Sequence, residues 1–336
     1  MRAVICSRFD GIDALEVREV PEPVPREREV LVGVRAAALS LMDTLVVSGR
    51  YQLRPKLPFV PGTDVAGVVI AVGGDVRSVR VGDRVTCTQW TGGMAERLAV
   101  PEHAVVKLPE PVSFEVGATV RYAYGTARYA LDDRARLCQG EVVFVSGAAG
   151  GVGLAAVDLA RLRGATVIAG VGSAAKGEAA RRQGAAHVLD YSADPVRDRL
   201  LEWTDGRGVD VYFDTVGGPL MAAVSRAMAW DGRILPVGFA SGEIPSLAMN
   251  LPLLKNYSVV GCHWGPWAER EPQSSRAADE WLLAAAAQGL VRPRIARVLP
   301  FHSFRQGLHL LTSRQVAGRL VLQVEAGIEA CAGTAL

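Results

Sequence analysis

The sequence has no pair of cysteines at metal or disulfide spacing. Its five cysteines, Cys6, Cys87, Cys138, Cys262 and Cys331, are odd in number, far apart and never in a CxxC pattern. That argues against a disulfide framework and a zinc ribbon, and points to a reduced, cytoplasmic protein. Runs of Lys and Arg are missing too, and the formal net charge is only +2. Nucleic acid and anionic membrane are therefore not expected as partners. No apolar stretch approaches the roughly 18 residues of a membrane span. The opening "MRAVICSRFDG" reads as a first strand, without the layout of a secretory signal. Charged residues make up 21% against 49% hydrophobic, too little charge for disorder and enough apolar material for real cores.

What is present falls into two textures, and 336 residues suits about two domains. The first 120 or so residues are rich in Val, Gly and Pro. Short apolar segments such as "EVLVGVRAAAL", "DVAGVVIAVG" and "DRVTC" are broken by "PEPVPRE", "VPG" and "VGD". This predicts a small all-β unit with many turns. From about residue 140 strands alternate with helices. "VVFVS" precedes a helix over about 152–163, and "TVIAG" precedes one over "AAKGEAARRQ". "VDVYFDTV" precedes "PLMAAVSRAMAW", and "GRILPVG" and "YSVVGC" are further strands. Such alternation predicts a parallel sheet covered on both faces. After about 268 come the helix "AADEWLLAAAAQG" and a last strand, "GRLVLQVE", which can rejoin the first unit.

Between "VVFVS" and its helix stand Gly147, Gly150, Gly151 and Gly153. In a βαβ unit this first turn lets a pyrophosphate sit on backbone N–H groups at a helix N-terminus. A Cβ at such positions blocks close approach. The match to G-x-G-x-x-G is imperfect, because Ala149 occupies the second glycine position. The context carries the assignment: a strand before, a helix after and a second strand about 20 residues on.

The tip of that second strand separates the two nicotinamide dinucleotides. An NAD site places Asp or Glu there for the ribose hydroxyls. Here Gly172 and Ser173 form the tip and Lys176 follows. A hydroxyl and a lysine suit a 2′-phosphate. Tyr191, after the short strand "HVLDY", is placed to cover the same phosphate. NADPH is the expected cofactor.

With these residues in view, the chain resembles the zinc-free quinone oxidoreductase branch of the medium-chain dehydrogenase/reductase superfamily. "AAGGVG" at 148–153 is similar to its nucleotide motif, and "VPGTDVAGVVIAVGGDVRSVRVGDRV" at 60–85 to its N-domain signature. "LMDTLVVSGRY" and "NLPLLKNYSVVGCHWG" also fit. The resemblance implies an α/β protein. A GroES-like β-rich catalytic domain would cover 1–122 and 268–336, and a Rossmann domain with a doubly wound parallel sheet 123–267. It implies NADPH held by Ala149, Gly150, Gly151 and Val152, with Gly172, Ser173, Lys176 and Tyr191 on the 2′-phosphate. Gly238 and Phe239 would lie on the nicotinamide side, and Thr126 would reach the nicotinamide or its ribose. It also implies a homodimer joined through the sheet edge at "YSVVGC".

The zinc alcohol dehydrogenases of this superfamily carry G-H-E where this chain has Gly62, Thr63 and Asp64. "LSLMD" supplies no cysteine ligand, and Cys87 stands alone where a structural zinc needs four cysteines. No metal is expected. The remaining chemistry is hydride transfer to an already electrophilic carbon of a quinone or an α,β-unsaturated carbonyl. Tyr51, in "SGRYQ", matches a tyrosine lining the family's pocket and is the candidate proton donor, a phenol being protonated at pH 7. Ser40 and Asp43 flank the same loop. The quinone reductases often have Asn at the position of Ser40, and Asp43 can serve simply to hold the loop. Trp264 and Trp267 either wall the cleft or pack in the interior. Two alternatives stay open: an enoyl-thioester reductase of a biosynthetic pathway, and a crystallin-like protein that binds NADPH with little turnover.

Overall fold

The computed structural model describes residues 1–324. The chain divides into two compact units. One comprises Met1–Ala118 and Arg297–Arg314 with the segment from Leu320, and the other Thr119–Ala296 with Gln315–Arg319.

The first unit opens with an antiparallel pair, β1 (Arg2–Ile5) and β2 (Glu16–Glu19). Its spine is β3 (Glu29–Leu39), whose apolar run is buried along almost its whole length. There follow α1 (Leu41–Val47), β4 (Asp64–Val72), β5 (Arg84–Thr88), β6 (Arg97–Pro101) and β7 (Val105–Lys107). β3 is long enough to pair with both β4 and β6. Two register shifts against β4, at Leu31/Val32 and Val34/Ala36, mark bulges of the kind that bend a strand. The Arg84 guanidinium donates to the carbonyls of Pro109, Glu110 and Val112 and lies over the Phe114 ring. It thereby fixes the chain as it enters α2 (Phe114–Arg128), inside which the division between units falls.

The second unit continues with β8 (Val142–Val145), α3 (Gly151–Leu162), β9 (Thr166–Val171), α4 (Ala174–Gln183) and β10 (His187–Asp190). Next come α5 (Val196–Glu202), β11 (Val209–Asp214), α6 (Leu220–Val224) and β12 (Met228–Pro236). It is completed by α7 (Asn250–Lys255), β13 (Ser258–Val259), α8 (Trp264–Arg270) and α9 (Pro272–Ala287). All six strands are parallel, in the order β10-β9-β8-β11-β12-β13. That is the Rossmann order, with its topological switch point between β8 and β11. β8 and β11 are buried throughout, as a sheet covered on both faces requires. Phe144 and Tyr212 stack across them at 5.4 Å.

The chain then forms β14 (Ile295–Pro300), α10 (Phe304–Thr312) and β15 (Arg319–Gln323). β15 pairs antiparallel with β3, Leu320 opposite Leu39. The "GRLVLQVE" strand thus rejoins the first unit, in a sheet ordered β14-β15-β3-β4-β5-β7 with β6 also on β3.

Three sequence expectations change. The helix over "PLMAAVSRAMAW" stops early, because Met228 pairs with Val209 and opens a strand there. Sheet pairing overrides the helical propensity of the run. "YSVVGC" contributes only two strand residues, although they do form the sheet edge. Finally, α9 belongs to the second unit, so the boundary placed at 267/268 falls near Ala296. Asp279 of α9 forms a fully buried pair with Arg121 of α2, at 2.6 and 3.0 Å. A buried charge needs its partner, and that holds α9 to α2.

Candidate cofactor site and substrate-side loop

The glycine loop lies between β8 and α3, at the switch point. Gly147 takes a left-handed φ of +60°, a conformation costly for other residues. A Cβ on Gly153 would overlap the Gly147 carbonyl oxygen, so loop and helix approach as only glycine allows. Gly150 is the N-cap of α3 and no side chain caps it. The first turn of the helix is left to an anion. Ala149 is buried, and Gly151 and Val152 are half-buried. The absence of the second glycine has a plain cause. The Ala149 carbonyl accepts from Gly318 N at 2.9 Å, and the methyl points into the interior at 3% exposure.

Arg319 was not singled out by the sequence. Its side chain crosses the start of α3: a Cβ on Gly151 would lie 2.5 Å from its Cδ and 3.4 Å from a terminal guanidinium nitrogen. A cation is therefore buried at the helix N-terminus where a pyrophosphate belongs. The legible signal was a lone "GR" before the last strand, 166 residues after Gly153 and without local context.

At the tip of β9 the expected residues come together. Ser173 is the N-cap of α4, with no side-chain cap bond. Lys176 lies in the first turn, its amide donating to the Ser173 carbonyl at 3.1 Å. The Tyr191 hydroxyl sits 3.3 Å from where a Cβ on Gly172 would be, and the Tyr191 amide donates to the Val171 carbonyl. Asp190 is the nearest acid in the sheet, opposite Val171. Its Oδ1 is taken by the amide and hydroxyl of Ser192, at 3.0 and 2.6 Å. No acid stands at the tip itself.

Gly238 and Phe239 follow β12. The Gly238 amide donates to the Asp214 carbonyl at 3.1 Å, and the Phe239 ring is partly exposed. Thr126 is buried on α2, two residues after Tyr124, whose hydroxyl donates to Asp158 at 3.0 Å. Burial first, and the Asp158 charge second, push that phenol well above its ordinary pKa. Trp264 meets Tyr122 of α2 edge-on at 5.8 Å, and Trp267 stacks at 4.6 Å on Tyr129, just past the end of α2. Trp264 is buried and Trp267 is half-buried.

On the first unit, Ser40 and Asp43 form a reciprocal cap of α1. The Ser40 amide and hydroxyl both donate to Asp43 Oδ2, at 2.7 and 2.8 Å, and the Asp43 amide donates to Ser40 Oγ. Both are buried. These bonds tie Ser40 and Asp43 together at the start of α1. Tyr51 lies just beyond α1 and is half-buried. Thr63 is buried, and its hydroxyl has no hydrogen-bond partner. Among the described residues no three His, Cys, Asp or Glu side chains come together as a metal site. Among the described residues no helix is long and apolar enough to cross a membrane.

A Rossmann sheet with a glycine loop at its switch point, beside a β-rich unit of GroES type, defines a nicotinamide-dependent oxidoreductase of the medium-chain kind. The comparisons agree. Residues 26–110 match the model of the alcohol dehydrogenase GroES-like domain, and 151–280 that of the zinc-binding dehydrogenases. A quinone oxidoreductase-like protein 2 homolog of Nematostella vectensis is 36% identical over 96% of this chain and 89% of its own. The quinone oxidoreductase of Pseudomonas syringae superposes with a TM-score of 0.89 at 30% identity, covering 96% of this chain and 99% of that one. That of Escherichia coli, solved with NADPH, gives 0.89 at 26% identity, covering 96% and 100%. The chain belongs to the quinone oxidoreductase branch of the medium-chain dehydrogenase/reductase superfamily.

Proposed function

We propose that this protein is an NADPH-dependent, metal-independent reductase of quinones or activated alkenes. The observation that carries the reading is the acid-free tip of β9, where Ser173 caps α4, Lys176 lies in the first turn of that helix and the Tyr191 hydroxyl lies against Gly172. The cradle fits the cofactor. Gly147 and Gly153 let loop and helix pack closely, Gly150 leaves the start of α3 open to a pyrophosphate, Arg319 neutralises it, and the β9 tip takes the 2′-phosphate. Bound there, the cofactor supplies a hydride from its reduced nicotinamide. The chain's own residues bind, orient and exclude water. Without a Lewis acid at Thr63, the acceptor must already be electrophilic. The Tyr51 phenol donates its proton to the oxygen that takes up the charge.

The experiment is an acceptor panel at saturating NADPH: 9,10-phenanthrenequinone, a 2-alkenal and an enoyl-thioester. Turnover of the quinone or the alkenal supports the reading. Turnover of the thioester alone would move the assignment to the enoyl-thioester branch. Tight NADPH binding with no turnover of any acceptor would leave the crystallin-like alternative.

The proposal includes a homodimer. β13 ends the sheet with one side unpaired, and an open apolar edge invites a second copy. Val259 on that edge is 49% exposed, and Leu253 and Leu254 just before it are 81% and 66% exposed. The family resemblance supports the same edge-to-edge partner.

A further inference from the structure

We propose that Asp214, which the sequence did not single out, is a positioning residue that sets the nicotinamide end of the site independently of the phosphate end. The inference deepens the NADPH reading above and rests on it.

Asp214 is the last residue of β11, at the switch point, and is fully buried. Its Oδ1 accepts three hydrogen bonds: from the Ser146 hydroxyl at 2.7 Å, from Val216 N at 3.0 Å and from Gly217 N at 2.9 Å. Its backbone carbonyl accepts from Val237 N and Gly238 N, at 2.8 and 3.1 Å. Ser146 immediately precedes the glycine loop and accepts two bonds from Thr215. Thr215 N donates to Ser146 Oγ at 3.0 Å, and Thr215 Oγ1 donates to the Ser146 carbonyl at 2.8 Å. From there Ala240 N and Ser241 N donate to the carbonyls of Thr215 and Val216. One residue thus gathers the ends of β8, β11 and β12.

The turn it holds is one that only glycine adopts readily. Gly217 and Gly218 are consecutive and left-handed, at φ of +67° and +61°. A Cβ on Gly217 would come within 2.9 Å of the Phe239 ring. The donors to Oδ1 are a hydroxyl and two amides, none of them a cation. A buried carboxylate without a counter-charge is costly, and a neutral side chain could cap a turn at less cost. The charge therefore serves geometry: it draws three dipoles to one atom and fixes Phe239 through Gly217. None of its bonds reaches Gly172, Ser173, Lys176 or Tyr191.

The test is Asp214→Asn, which keeps the shape and removes the charge. Three quantities are read: affinity for 2′,5′-ADP, which probes the phosphate end; kcat with NADPH and a quinone; and the choice between the two hydrogens of stereospecifically deuterated NADPH. The expected result is unchanged 2′,5′-ADP affinity, a kcat lower by about tenfold or more, and weakened discrimination between the two hydrogens. Ser146→Ala, which removes one donor, should shift the same readouts less, and it decides the matter if the Asn variant does not fold. Parallel loss of 2′,5′-ADP affinity and kcat, or wild-type kcat with full discrimination, would overturn the inference. Wild-type protein that binds neither 2′,5′-ADP nor NADPH would overturn the cofactor reading, and the inference with it.

Discussion

Two side chains carry the functional reading at the scale of single residues. Lys176 is the cation at the tip of β9, and a charge-assisted contact to phosphate is worth about 1.5–3 kcal/mol. Lys176→Ala should therefore weaken NADPH binding at least about tenfold while NADH binding hardly changes. Fluorescence titration of both cofactors checks this, and equal losses would remove Lys176 from the phosphate site. Tyr51 is proposed to act on the other reactant. A positioned acid contributes about 10²- to 10⁴-fold, and water competes for the role at an open site. Tyr51→Phe should lower kcat for an enone about tenfold or more and lower it less for a quinone, whose reduced anion is a weaker base. NADPH affinity should stay constant. Wild-type rates on every acceptor would make Tyr51 a wall and water the donor. Lys176 was singled out from a local pattern, the strand tip, and Tyr51 from the family resemblance of its loop. Arg319 and Asp214 were not, because their partners, Gly151 and Ser146, lie far away in sequence and only the fold brings them close.

Among the elements, α9 is tied into the second unit by a buried ion pair with α2 and by Trp281, whose ring lies under the Arg163 guanidinium. Its sequence reads as a plain amphipathic helix, so nothing local said which unit it joins. Asp279 and Arg121 are 158 residues apart and meet with exposures of 2% and 7%. Removing one partner strands the other charge, at a cost of about 3–5 kcal/mol. Asp279→Ala should lower the stability of the second unit by that amount, measured by thermal or denaturant unfolding, and Asp279→Asn by less. A change under about 1 kcal/mol, the size of an exposed pair, would deny the pair its role. The strands β8, β9 and β11 were readable as short, largely apolar runs, and α3 and α4 as the helical segments that alternate with them. β12 was not. Its first residues continue a helical pattern, and only pairing with Val209 makes them a strand.

For the whole molecule, the account requires two copies and no metal. The unpaired β13 edge leads us to expect a dimer by sedimentation at micromolar concentration. A charge placed on it, Val259→Lys, should shift the protein toward monomer, since a lysine blunts an edge. A monomeric wild type would count against the dimer. Fold class was plain from the alternation of strands and helices, whereas the substrate class rests on chemistry that no element of the fold encodes. The central claim is metal-free reduction at the expense of NADPH. The most direct measurement is the steady-state oxidation of NADPH and of NADH with 9,10-phenanthrenequinone, on protein dialysed against chelator and checked by elemental analysis. The expected result is turnover with NADPH at a kcat/KM at least about tenfold above that with NADH, unchanged by chelator and without stoichiometric zinc. Activity that chelator abolishes and zinc restores, or equal use of the two cofactors, would contradict it.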